Sequence, residues 1–248
     1  MGEINETGHA MNVGNFLKLI SYCQGYGIKY NPSNPQLQIA FLRTLGAEGE
    51  TSLSVVNDAL PPYNAAQDAR EAAFGPLSPL ATRLLNGIKA TSTISQVDDA
   101  TKTIVRKIKG QRASSLTKAE KEKAALSTEP QPEQVSASQQ GFNDKLDNFD
   151  KLIKQLEFTP QYAPNEPELQ VPTLQAQHAD LKIKNQVAWD AEVVLSNARL
   201  ARNKVLYTPL TGMVDVAFDV KTYVKSAFGQ TSAEYKQISG LKFTPYKP

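Results

Sequence analysis

The chain has 248 residues, a formal net charge of +2 and a single cysteine. That length buries a core without staples, the charge gives no general pull toward nucleic acid or membrane, and one cysteine excludes an intrachain disulfide. No stretch approaches the roughly 18 apolar residues of a membrane-spanning helix, and the opening MGEINETGHAMN carries two glutamates and no apolar run, so neither a membrane segment nor a signal peptide is visible and a cytoplasmic location is expected.

In chain order, residues 1–11, with His9, are expected to form a frayed tail. Val13, Phe16, Ile20 and Cys23 are spaced 3, 4 and 3, which predicts a helix over Val13–Cys23. Cys23 falls on its apolar face and is expected to be a buried structural thiol.

The next segment, YNPSNPQLQI from Tyr30, returns at Tyr162 as YAPNEPELQV. With a fixed offset of 132, residues 30–75 lie on residues 162–207 with 13 of 46 positions identical, where chance gives roughly three. The chain is therefore read as an internal duplication. Ser33 with Gln36, and Asn165 with Glu168, have capping-box spacing, and Pro35 and Pro167 suit a first helical turn. Tyr30 and Tyr162 precede these helix starts. Turn chemistry explains most of the segment; the functional alternative has the two tyrosines lining a peptide groove.

A long helix is predicted over Gln36–Phe74 and its counterpart over Glu168–Leu206, each about 58 Å at 1.5 Å per residue. In the second copy Val187, Ala191, Val194, Ala198, Ala201 and Val205 form a stripe of period near 3.5, expected to pack closely against neighbouring helices. In the first copy Pro61 and Pro62 are expected to interrupt or kink the helix. Shorter helices are predicted over Pro79–Ala90 and Gln96–Lys109, and over Gly212–Phe228 and Ala233–Phe243. Ser95 with Asp98, and Thr231 with Glu234, have cap spacing. No run alternates with period two, so no sheet is expected. Residues 110–138 are polar and read as a linker, with one short helix near Lys118–Ala125. The expected organisation is all-α: two tandem four-helix bundles, repeat 1 over 12–110 and repeat 2 over 139–245, with a linker over 111–138.

Chemistry is sparse. His178 has no second ligand three or four residues away, no metal or phosphate-loop motif occurs, and no catalytic residue, cofactor or metal is expected. Asp58 and Arg70 recur unchanged as Asp190 and Arg202, an acid and a base kept while apolar neighbours exchange freely. They are the candidate polar set, either buried and paired or part of a symmetric binding site. Residues 101–125 hold eight basic and two acidic residues, so Arg106, Lys107, Lys109 and Arg112 are the candidate phosphate contacts. The absence of aromatics between residues 75 and 141 speaks against nucleic-acid stacking.

The Tyr30–Gln38 pattern, Ala69-Arg70-Glu71 leading into Gly75-Pro76-Leu77-Ser78, and the run Leu195–Tyr207 resemble a family of uncharacterised bacterial proteins of about this length. The resemblance implies an intracellular, all-helical, non-enzymatic protein and supplies no site. A structural or interaction protein that binds a protein partner or itself is expected. The alternatives are nucleic-acid binding through residues 102–123, and an enzyme or ligand binder with a site between the repeats.

Overall fold

A computed structural model describes residues 6–111 and 141–245. Among these every regular element is helical: α1 (Glu6–Gly25), α2 (Ile39–Phe74), α3 (Leu77–Lys89), α4 (Ser95–Ile108), α5 (Phe142–Glu157), α6 (Val171–Tyr207), α7 (Met213–Phe228) and α8 (Ala233–Ser239). Most of the expected linker, the short helix near Lys118 and the candidate Arg112 lie outside the described residues.

The chain divides into two compact units, residues 1–64 with 190–248 and residues 65–189. These are not the spans 12–110 and 139–245 read from the repeat. Each unit takes α1 or α5 and the start of a long helix from one copy, and the end of a long helix and the two helices after it from the other. The exchange follows from the continuity of α2 and α6, which belong to one unit at their start and to the other at their end.

Of the two expected effects of Pro61 and Pro62, interruption or a kink, α2 shows no interruption: both prolines lie inside the helix. Both prolines are exposed, and so are Asn57 and Asp58, whose carbonyls lose their donors. Solvent has access to those carbonyls, so the double proline costs less than it would on a buried face.

In the first unit, Val13, Phe16, Leu19, Ile20 and Cys23 of α1 pack with Leu42 and Leu45 of α2 and with Val216, Val220 and Val224 of α7. In the second, Phe149, Leu152 and Leu156 of α5 pack with Leu77, Leu84 and Ile88 of α3 and Val105 and Ile108 of α4. Residues 6–11 continue α1 where a frayed tail was expected. His9 is buried, its Nδ1 2.6 Å from the Tyr207 hydroxyl. Asn12 holds the chain end: its amide donates to the Thr244 carbonyl at 2.9 Å and accepts from the Thr244 N–H at 2.9 Å. A polar side chain that pairs with both backbone groups of a distant residue ties down an N-terminus that composition alone marks as loose.

The long helices bury a seam beside the stripe read in the sequence; of the stripe itself Ala198 is buried and Ala191 and Val205 are half-buried. Leu174, Leu181, Ala188, Leu195 and Arg202 are buried at every seventh position of α6. In α2 the same spacing takes in Leu42, Gly49 and Val56, which are buried, and Tyr63 and Arg70, which are half-buried. Val187 and Val194, expected against a neighbour, are instead 50% and 59% exposed. One residue is about 100° of helix rotation, and with alanines on both stripes apolar spacing does not distinguish them.

Cys23 is buried as expected, and burial pushes its thiol up from 9.0 to about 12, partly opposed by a hydrogen bond with Tyr30. Burial also pushes Tyr162 and Tyr26 up from 10.0 to about 12. These groups keep their protons in the folded chain at pH values where the unfolded chain releases them. Their contribution is therefore complete below about pH 9 and is lost as pH rises toward 12. Thermal melts are expected to hold steady up to about pH 9 and to fall progressively above it, with Cys23→Ala removing the earliest part of the fall. A melting temperature unchanged between pH 9 and 11 would contradict this reading.

Candidate functional site

The repeated Tyr-x-Pro segments make the same turn twice. Pro35–Leu37 and Pro167–Leu169 are short 3₁₀ turns that lead into α2 and α6. The Tyr30 hydroxyl donates to the Leu37 carbonyl at 2.7 Å, and that of Tyr162 to Leu169 at 2.8 Å. Both rings are buried, and Tyr30 stacks edge-on against Tyr223 with centroids 5.3 Å apart. The tyrosines therefore lock turns from inside and do not line a peptide groove. The caps fall one residue later than the box spacing placed them. Asn34 accepts from the Gln36 N–H at 3.0 Å, Ser232 accepts from the Tyr235 N–H at 3.1 Å, and Glu166 occupies the cap position without a side-chain bond. A 3₁₀ turn closes over two residues, which suits the short Asn34 side chain. At α4 the shift is the other way: Ser95 is the first helical residue and Ile94 holds the cap position.

Asp58, Arg70, Asp190 and Arg202 do not form one site. Asp58 and Asp190 are exposed, and Asp58 accepts a 3.4 Å bond from Ser54 on its own helix. Arg202 is buried and bonds Asn203 Oδ1 through Nε at 3.2 Å and Nη2 at 3.0 Å. Arg70 is half-buried, with its guanidinium carbon 4.1 Å from the centroid of Phe142, a 3.3 Å bond to Asn185 Oδ1 and a bond to Gln67. The two arginines take seventh-residue positions of the buried seam, and the aspartates lie on the wet face. The identity between copies that singled them out is thus packing for the arginines.

The candidate phosphate contacts are partly engaged within the protein. Lys109 donates to Thr82 Oγ1 at 3.2 Å, Arg106 is half-buried with its Nε covered, and Lys107 is exposed.

Two concave surfaces stand out among the described residues, and the first takes Ala198, Ala201 and Val205 from the stripe read in the sequence. The first is an open groove of about 570 Å³ in the unit of residues 1–64 and 190–248. Thr44, Ala47, Glu48, Thr51, Ser52 and Val55 of α2 form one side, and Ala198, Ala201 and Val205 of α6 the other. The helices run antiparallel here, since Val56 and Ala59 further along α2 meet Leu195 and Ala198. Alanines leave the groove open because they are too short to fill the space between two helix axes. Thr44 and Ser52 turn their hydroxyls onto backbone carbonyls of their own helix, at 3.2 and 2.7 Å, so the lining presents mainly methyl groups.

The second, about 270 Å³, lies in the unit of residues 65–189 between α5 and the start of α6. It is polar. Asn143, Asp147 and Asp150 line it from α5, and His178, Lys182, Asn185, Gln186 and Trp189 from α6. No group of three or more His, Cys, Asp or Glu able to hold a metal ion occurs among the described residues, and no described helix is long and apolar enough to cross a membrane.

The class defined at this point is an all-helical protein of two compact units. Compared with protein-family models, curated proteins and solved structures, the chain matches none.

Proposed function

We propose that this is a non-enzymatic, intracellular interaction protein: a duplicated helical bundle whose two copies have exchanged halves, and which holds a helix of a protein partner in the groove between α2 and α6. The observation that carries the reading is the lining of that groove. Val55 is 48% exposed, and its counterpart in the second copy is also valine, at Val187. Ala47 and Ala201, both exposed, are likewise identical to their counterparts Ala179 and Ala69. Exposed positions drift most freely between copies, since substitutions there usually change stability by within about 0.5 kcal/mol. Retained small apolar residues on an open surface fit a helix docked by its aliphatic ridge, the helix-in-groove mode of recognition.

The test is capture from the native cell followed by mass spectrometry, run on the wild type beside Val55→Asp with Ala201→Asp. A partner held by the wild type and lost from the double variant, with helicity and melting unchanged, is the expected outcome. A partner set that ignores both substitutions removes the groove as the docking surface. Sedimentation of the purified chain over a range of concentrations shows whether the partner is a second copy.

A further inference from the structure

The seam between α1 and α2 and the seam between α5 and α6 bury corresponding positions but are filled differently. With an offset of 133, Val13, Phe16, Leu19, Ile20 and Cys23 take the same buried places as Leu146, Phe149, Leu152, Ile153 and Leu156. In the first seam the space is filled. A Cβ added to Gly46 would lie 3.1 Å from both Ile20 Cδ1 and Leu17 Cδ2. In the second seam His178 stands for Gly46, Asp150 for Leu17, Asp147 for Gly14 and Asn185 for Leu53, and the polar groove opens.

Asn185 is the costly exchange. It is 2% exposed where the other copy carries a leucine. An amide side chain has four hydrogen-bonding positions, and burying it favours the fold only as these are filled. Asn185 Nδ2 donates to Asn143 at 2.9 Å and its Oδ1 accepts from Arg70 at 3.3 Å. One N–H and one lone pair have no partner among the described residues, and the side chain lines the groove.

The charges of the groove are sorted by wall. Asp147 and Asp150 stand on α5, one helical turn apart, and Lys182 on α6. Lys151 and Lys154 each take only Oδ2 of Asp147 and Asp150, at 2.5 Å. No ion pair within 4.0 Å joins either carboxylate to Lys182. Trp189, 39% exposed, supplies an aromatic surface at the same groove. Opposite charges held apart across a small gap complement a ligand that is itself charged at both ends. A simple cation meets Lys182, and a simple anion meets two carboxylates. A volume of about 270 Å³ falls just under the range of drug-sized sites and admits a metabolite rather than a peptide segment.

We propose that this groove binds a small zwitterion of free amino-acid size, its ammonium against Asp147 and Asp150, its carboxylate against Lys182, and its polar remainder against the open positions of Asn185. Trp189 is the only tryptophan of the chain, so its fluorescence reports the groove directly. The experiment titrates the full chain with each of the standard amino acids, and with the matching amine and acid that lack one charged end; for leucine these are isoamylamine and isocaproate. The expected result is a saturable change with at least one amino acid, weakened about tenfold or more for each half-molecule and for Lys182→Met or Asp147→Asn with Asp150→Asn. Thermal melts of these variants, whose altered side chains lie at the surface of the groove, show that they are folded. The proposal is overturned by no saturable change with any amino acid up to about 10 mM, by half-molecules that bind as well as the zwitterion, or by binding that the charge variants leave intact.

Discussion

Cutting the chain between residues 112 and 140 is expected to leave the two fragments bound to each other. One fragment carries α1 to α4 and the other α5 to α8, yet neither contains a whole unit. The first unit sets Phe16 and Leu42 from the front fragment against Val216, Val220 and Val224 from the back. The second sets Leu84, Ile88 and Ile108 from the front against Phe149, Leu152 and Leu156 from the back. Each such side chain, fully buried, contributes about 1.5–3 kcal/mol. A handful on each side in two units exceeds the roughly 4–15 kcal/mol that association costs in lost freedom. A protease site introduced in this segment, followed by size exclusion, tests it. The fragments should elute together at the position of the intact chain and part only in denaturant. Separation in native buffer would show that the units are built from adjacent helices after all, as the sequence spans 12–110 and 139–245 had it.

Phe16→Ala and Phe149→Ala are each expected to cost about 3–5 kcal/mol, the range for truncating a buried aromatic and leaving a cavity. Both rings are fully buried, and they hold equivalent places in the two units. The loss is expected to be local. Hydrogen exchange in Phe16→Ala should speed up in α1, α7 and α8, and in Phe149→Ala in α3, α4 and α5. Equal loss of protection throughout the chain in both variants would mean that the units do not unfold separately.

Much of the helical content was legible in the sequence because it rests on local chemistry. The apolar spacings of α1 and α5, the prolines at the turns before α2 and α6, and the lack of two-residue alternation act within a few residues of themselves. The burial of Cys23 followed from its alignment with Leu156. The likeness of residues 30–75 to residues 162–207 is also a property of the letters, visible as soon as Tyr30 is laid on Tyr162. The sequence could not decide which of two adjacent stripes on the long helices meets the core, because Val187 and Ala188 are both apolar and only the neighbouring helix chooses between them. It also could not show that His9 is anchored, since the partner, Tyr207, lies 198 residues away.

Partner choice is the larger matter that only the tertiary structure decided. α2 runs unbroken through two exposed prolines, so its start lies in one unit and its end, with α3 and α4, in the other. The polar groove arose in the same way. Asp147, Asp150, Lys182 and Asn185 carry no motif spacing, and they became neighbours only when α5 was laid along the start of α6. Local periodicity fixes which face of a helix is apolar; long-range packing fixes what that face, and the polar residues beside it, finally meet.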